Sequence, residues 1–497
     1  MMRRIAGARI VGAVFLALTL AGASPATPGD AGESDAARMR DERERRLLEV
    51  ATLADGELGA DLALRLLEGG HLSGQAIRRE ALDLALTRVG ESREPWPLEF
   101  VEGEGNGNRE GYREGALLLF GVDAMSLRCR AIRELLATDR IRARAEIEHF
   151  SPDLDIAIEA CSDGVLASPR VFYETLGEVI KRGFNTRERR EGVPWMLARR
   201  YVGGIESITQ VAPAAGMIVS IDAPDEVRDV LAGDLSTAIS RLTPSARGAF
   251  AVAFRGKSLA ALEGLADATR GKREIHDAFV GALRTYVTAA LAAPRCRGLD
   301  ERMVPDLVKT FNEGLFSAKP ILRDEMKTPV VGDAPRYESF WVSAESRRLL
   351  EGFQELNTAS RLMEADADRT NWKVEYGRYL GRLRDWSART EPSDYDYFAE
   401  KTSLIAGMLR LAYDEAVRGD VLSEFVATAR HVEATSIPPA SLLWIVATTL
   451  GHTEGSTRAD TLEMLRASGA RSVAAYAALQ LEGVDALRIG VGPALAR

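Results

Sequence analysis

The chain reads as an all-α protein: an irregular helical repeat of the α-solenoid kind or an array of helical bundles, with an α/α toroid as the alternative arrangement. Three observations predict this class. Apolar residues recur at helical spacing through most of the chain. In Leu118, Val122, Met125, Cys129, Ile132 and Leu136 the steps of four and three set one stripe on one helix face. Prolines stand just behind hydroxyl residues at Ser151-Pro152, Ser168-Pro169 and Thr243-Pro244, the pattern of a capped helix start. Alternating strand patterns are scarce, and Met217–Ile221 is the one short candidate.

The chain opens MMRRIAGARIVGAVFLALTLAGASPAT, which has the outline of a secretory leader. Arg3, Arg4 and Arg9 form its basic part, Ile10–Ala23 its short apolar run, and Ala21-Gly22-Ala23 a cleavage site, so residues 1–23 are expected to be removed near Ala23. The run is shorter than the roughly 20 residues a bilayer crossing needs. Alanine stands where a lipoprotein signal needs cysteine. Residues 24–35 then form a flexible N-terminal segment.

A helical domain is expected over 36–318. Amphipathic runs at 36–53, 57–68 and 73–89 precede a long loop, 91–114, marked by Pro95, Pro97 and the glycines of GEGNGNREG. Beyond the 118–136 stripe, further runs occupy 171–182, 225–242, 258–270, 272–293 and 303–317. Residues 319–336 carry three prolines and no clean period, which suits a linker. The C-terminal helical domain, 337–497, has runs at 343–356, 371–389, 400–418, 420–433, 440–450, 456–468 and 471–481. It is aromatic-rich: eleven aromatic residues lie between Tyr337 and Phe398 of a chain that is 6% aromatic. Its longest uncharged stretch is broken by Pro438-Pro439, so no membrane span is expected in the mature chain.

Two similar turns, Gly70-His71-Leu72-Ser73-Gly74 and Gly451-His452-Thr453-Glu454-Gly455, each follow a short helix and precede a longer one. Glycine after a helix is the usual left-handed terminator, so both read as helix-hairpin turns, or as marks of a related unit at each end. No fixed repeat period connects them.

Charge narrows the partners. The net charge is −9, and losing residues 1–23 removes three arginines and no acid, leaving −12. Nucleic acid and anionic membrane surfaces are poor partners for such a chain.

The cysteines pose a specific question, because RCR occurs twice, at 128–130 and 295–297. Cys129 lies on the apolar stripe, and Cys161 continues a face with Leu154 and Ile158, so both are expected to be buried and inert. Cys296, between Pro294 and Gly298, reads as part of an exposed turn where Arg295 and Arg297 would lower its pKa. One disulfide is allowed for, with Cys129–Cys161 the candidate pair; other pairings, or none, stay open because spacing does not set connectivity.

Motif chemistry is thin. Glu146-x-x-His149 is half of a di-iron bundle site and has no second half. The EF-hand-like start at Asp366 has Asn371 where glycine is required and Gly377 where glutamate is required. No G-x-S-x-G elbow or phosphate loop is present. No metal and no cofactor is expected.

The remaining candidate site is aromatic. Trp372, Tyr376, Tyr379, Leu383 and Trp386 share one helix face, with Arg378 and Arg382 beside it. Trp372, Tyr376, Tyr379, Trp386, Arg378 and Arg382 are therefore the candidate ligand-binding residues, since stacked rings and guanidinium groups suit sugars, peptides or aromatic ligands. The alternative is that the stripe is the core of the C-terminal domain. The functional expectation is an exported, non-catalytic binding or scaffolding protein with a protein, peptide or saccharide partner. The alternative is an all-helical enzyme acting on polysaccharide or cell-wall material, with acids such as Asp394, Asp396 and Glu400 beside Tyr395 and Tyr397.

Overall fold

Alanine- and leucine-rich amphipathic stretches with capping residues at their starts give the chain its helices, and the described residues of the computed structural model are mostly helical. It describes residues 30–91, 121–150, 169–244, 257–292, 299–322, 344–363, 370–386, 407–412, 414–434 and 455–486, with the short pieces 100–101, 111–112, 295–297, 330–333 and 404–405 and the single residues 254, 325, 401 and 450. The leader residues 1–23 lie outside this set. The chain divides into two compact units, Met1–Arg43 and Glu44–Arg497.

The described part of the first unit belongs to helix α1 (Asp30–Thr52), where Arg38 pairs at the surface with Asp35 at 3.2 Å. The segment expected to be flexible, 24–35, is thus helical from Asp30 onward.

In the second unit, α2 (Gly56–Glu68) and α3 (Gln75–Gly90) form a hairpin. The GHLSG turn joins them. Gly70 takes φ +68°, and the amides of Gly70 and His71 bond back to the carbonyls of Leu67 and Leu66 at 3.1 and 3.0 Å, a left-handed glycine terminator. The start of α3 lacks a side-chain cap of its own. The buried Glu44 carboxylate fills that place, accepting from the amides of Ser73 (3.0 Å) and Gly74 (3.2 Å). The second copy of the turn, 451–454, lies outside the described residues.

Further hairpins follow among the described residues: α4 (Ala124–Thr138) with α5 (Arg140–Glu148); α6 (Pro169–Arg182) with α8 (Val193–Gly203), bridged by the short α7 (Thr186–Arg190); α9 (Ile208–Ser220) with α10 (Asp225–Arg241); and α11 (Lys257–Thr269) with α12 (Arg273–Ala292). The first helices α4, α6, α9 and α11 pack side by side in one layer, and α8, α10 and α12 in a second. This is a stacked helical-hairpin array. Successive first helices begin 45, 39 and 49 residues apart, which is why no fixed period shows in the sequence.

Helix α9 corrects one expectation. Met217–Ile221 reads as a strand, yet Met217–Ser220 is the last turn of a helix. Ser207 opens that helix with a capping box, its backbone amide donating to Gln210 Oε1 at 2.9 Å, and the alanine-rich stretch carries the helix past Pro213.

After α13 (Leu299–Glu313), the first residues of the expected linker are hydrogen-bonded to the helices that precede them. Arg284 on α12 donates to the carbonyls of Lys319 and Pro320 and to Glu325, and Asn312 on α13 pairs with both backbone groups of Ile321. Helices α14 (Ala344–Met363) and α15 (Thr370–Asp385) pack together, as do α16 (Glu415–Ala434), α17 (Gly455–Arg466) and α18 (Arg471–Leu481). Helix α18 in turn packs on α2.

Two short ladders interrupt the helices among the described residues. Within loop 91–114, β1 (Phe100–Val101) pairs antiparallel with β2 (Gly111–Tyr112). The second RCR is no turn: β3 (Arg295–Arg297) pairs parallel with β4 (Val330–Asp333), Cys296 standing opposite Gly332. Strands of two to four residues are too short to announce themselves by alternation, so neither ladder is legible in the sequence pattern.

Candidate functional site

Helix α15 is amphipathic in the expected register, and its aromatic face points inward. Trp372, Tyr376, Tyr379 and Trp386 are each no more than 5% exposed. The hydroxyl of Tyr376 donates to the Met408 carbonyl at 2.6 Å, and that of Tyr379 to the Leu349 carbonyl on α14 at 3.0 Å. Burial pushes the Tyr379 hydroxyl well up in pKa, against a smaller lowering by the Arg382 charge. Tyr379 packs at a tilt against Phe353, 5.9 Å between ring centres. Stacking a ligand on these rings would require opening the core, so their packing role is the one their surroundings support.

The charged edge of the same helix is exposed and lines a cleft of about 190 Å³ between α14 and α15. Its walls are Arg378, Arg382 and Glu375 from α15 and Glu355, Leu356 and Ala359 from α14. Gly352 and the edge of Tyr379 complete it. Arg378 holds Glu375 through contacts of 2.7 and 2.9 Å, a self-neutralised pair. Arg382 and Glu355 make no hydrogen bond or ion pair among the described residues, which leaves one cation and one anion facing solvent. Three of the six candidate residues thus meet at one cleft, and Trp372, Tyr376 and Trp386 do not reach it. The remaining aromatics noted in the sequence, Tyr337, Phe340, Trp341, Tyr395, Tyr397 and Phe398, and the acids Asp394, Asp396 and Glu400, lie outside the described residues.

A buried charged cluster elsewhere was not legible in the sequence. Asp61 on α2 is fully buried and is held by Arg65 Nε at 2.7 Å, Arg130 Nη1 at 2.5 Å and the Tyr476 hydroxyl at 2.6 Å. Arg130 also grips Glu68 through two contacts, 2.7 and 2.9 Å. Burial works to raise the Asp61 carboxyl; Arg65, Arg130 and Tyr476 outweigh it and hold the group below its ordinary range. These charges are answered within the fold, so the cluster ties α2, α4 and α18 together.

The first RCR is answered by the same geometry. Arg130 enters that cluster, while Arg128 lies over the Phe150 ring at 5.1 Å and pairs with Glu146 at 3.3 Å. Cys129 between them is a free, fully buried thiol. Burial pushes it up to about 12, against smaller lowering by Thr175 and the Arg133 charge, so the flanking arginines do not activate it. Cys161, its candidate disulfide partner, lies outside the described residues, and so does the side chain of Cys296.

The Glu146–His149 pair serves the fold as well. His149 closes α5, its Nδ1 2.7 Å from the Ala145 carbonyl, and Glu146 is occupied by Arg128. Among the described residues no group of three His, Cys, Asp or Glu side chains could hold a metal, and no helix is long and apolar enough to cross a membrane. No protein-family model, curated protein or solved structure matches the chain.

Proposed function

We propose that the protein is an exported, non-catalytic binding protein whose helical array presents the α14/α15 cleft to a peptide partner. The observation that carries this reading is the division of labour on α15. Four aromatic side chains fasten the helix to the core, and its outer edge sets Arg378, Arg382 and Glu375 around one concave surface opposite Glu355. A partner docking there meets charges whose backbone attachment points are fixed by a packed helix pair. A peptide suits this surface better than a saccharide, because sugar rings are gripped by exposed aromatic faces and the faces on α15 are buried. Export rests on the leader pattern of residues 1–23.

The test is retention of a mixed synthetic peptide pool, and in parallel of insoluble cell-wall polysaccharide, on the immobilised processed protein. Peptides are expected to be retained with unchanged mass and to be lost in the Arg378→Glu/Arg382→Glu variant. Release of shortened peptides or glycans would replace this reading with the helical-enzyme alternative. Retention indifferent to the double substitution would remove the cleft as its site.

A further inference from the structure

Resting on that reading, we infer that the α14/α15 cleft selects a short zwitterionic peptide, of about dipeptide size, whose free carboxylate meets Arg382 and whose free ammonium meets Glu355. The charge pattern is the first reason. Arg378 and Glu375 neutralise each other at 2.7 Å, so the ligand sees one uncommitted cation and one uncommitted anion, a neutral pair that matches a zwitterion rather than a net anion or cation. Because Arg382 and Glu355 form no ion pair with each other, their charges stand more than contact distance apart. A ligand carrying both charges can therefore answer the two side chains at once, one at each of its ends.

Size and floor are the second reason. About 190 Å³ falls below the roughly 300–1,000 Å³ of sites for drug-sized ligands, so the cleft suits a ligand no larger than a short peptide. The floor is kept open by Gly352 in the middle of α14. A Cβ there would stand 3.4 and 3.5 Å from two ring carbons of Tyr379 and 3.8 Å from Arg382 Nη1, ordinary contact distances that folding tolerates. Glycine inside a helix is destabilising relative to alanine. A longer side chain there would run against Tyr379 and Arg382, both of which line the cleft. Leu356 and Ala359 supply an apolar wall for the peptide's side chains.

The experiment is calorimetric titration of the processed protein with Ala-Ala, N-acetyl-Ala-Ala and Ala-Ala amide. Ala-Ala is expected to bind, and capping either end to weaken it about tenfold, the worth of one hydrogen-bonded charge contact. Arg382→Gln should abolish the preference for the free carboxylate, Glu355→Gln the preference for the free ammonium, and Gly352→Leu binding altogether. All three positions are at or near the surface, and each variant's melting temperature is checked alongside. Equal binding of the capped peptides, or undiminished binding by Gly352→Leu, would overturn the inference. Should longer peptides still be retained through Arg378 and Arg382 while Ala-Ala shows no preference over its capped forms, the broader reading stands and this one falls. If peptides are instead cleaved in the retention test while Ala-Ala keeps its preference, the non-catalytic reading falls and the zwitterion-selective cleft stands.

Discussion

Tyr476, near the end of the chain, donates its phenolic hydrogen to the carboxylate of Asp61, 415 residues earlier, across 2.6 Å. Both side chains are buried, and the contact joins α18 to the first helical hairpin of the second unit. Removing the hydroxyl in Tyr476→Phe is expected to cost about 1.5–3 kcal/mol, because it strips a hydrogen bond from a charged, desolvated acceptor. Asp61→Ala should cost more, about 3–5 kcal/mol, since it leaves Arg65 and Arg130 facing each other without their shared counter-charge. Urea unfolding of both variants checks the ranking.

The same carboxylate makes stability depend on acid. Its pKa is depressed in the folded chain, so its contribution is in place above the unfolded value of about 3.9 and is lost as pH falls through the lower folded value. Thermal melts between about pH 5 and pH 2 should therefore fall more steeply for the native protein than for Asp61→Asn.

Asp123 runs the other way. It caps α4 through Oδ1, which accepts from the Ser126 amide at 2.8 Å, while its Oδ2 is buried without a partner. Burial raises its pKa despite the Ser126 bonds. A raised acid favours folding at low pH and penalises it as pH rises through the folded value, so Asp123→Asn, which keeps the capping oxygen, should raise the melting temperature at pH 7. That gain should shrink as the pH is lowered towards about 4, and a constant gain across the range would contradict the assignment.

Cys129 should be silent to thiol reagents. With its pKa pushed up to about 12 and no exposed surface, iodoacetamide at about pH 8 is expected to leave it unmodified in the native protein and to label it fully in guanidinium. Mass spectrometry of the tryptic peptide decides this, and a bridge to Cys161 in the unreduced protein would contradict the free thiol.

On α15 the two faces should separate cleanly. Trp372→Ala, which empties a buried site, is expected to cost about 3–5 kcal/mol. Arg382→Gln on the outer edge should stay within about 0.5 kcal/mol of the native protein. Comparable losses at both positions would show that the edge is part of the packing.

What the amino-acid order determined by itself was local: helices with their apolar faces, the hairpin turn at Gly70, the gathering of Trp372, Tyr376, Tyr379 and Trp386 on one helix face, and the burial of Cys129. These follow from spacing and backbone preference over a few residues, which any stretch of chain carries with it. Tertiary packing alone decided which charges meet. Asp61, Arg130 and Tyr476 bear no mark in sequence of belonging together, because their attraction exists only once α2, α4 and α18 are docked and water is excluded. The cleft is of the same kind: Glu355 and Gly352 on α14 became neighbours of Arg382 only when α15 packed against them. Helical hairpins of unequal length stack by shape and buried apolar area rather than by any repeated motif, so the array, too, was written in packing and not in period.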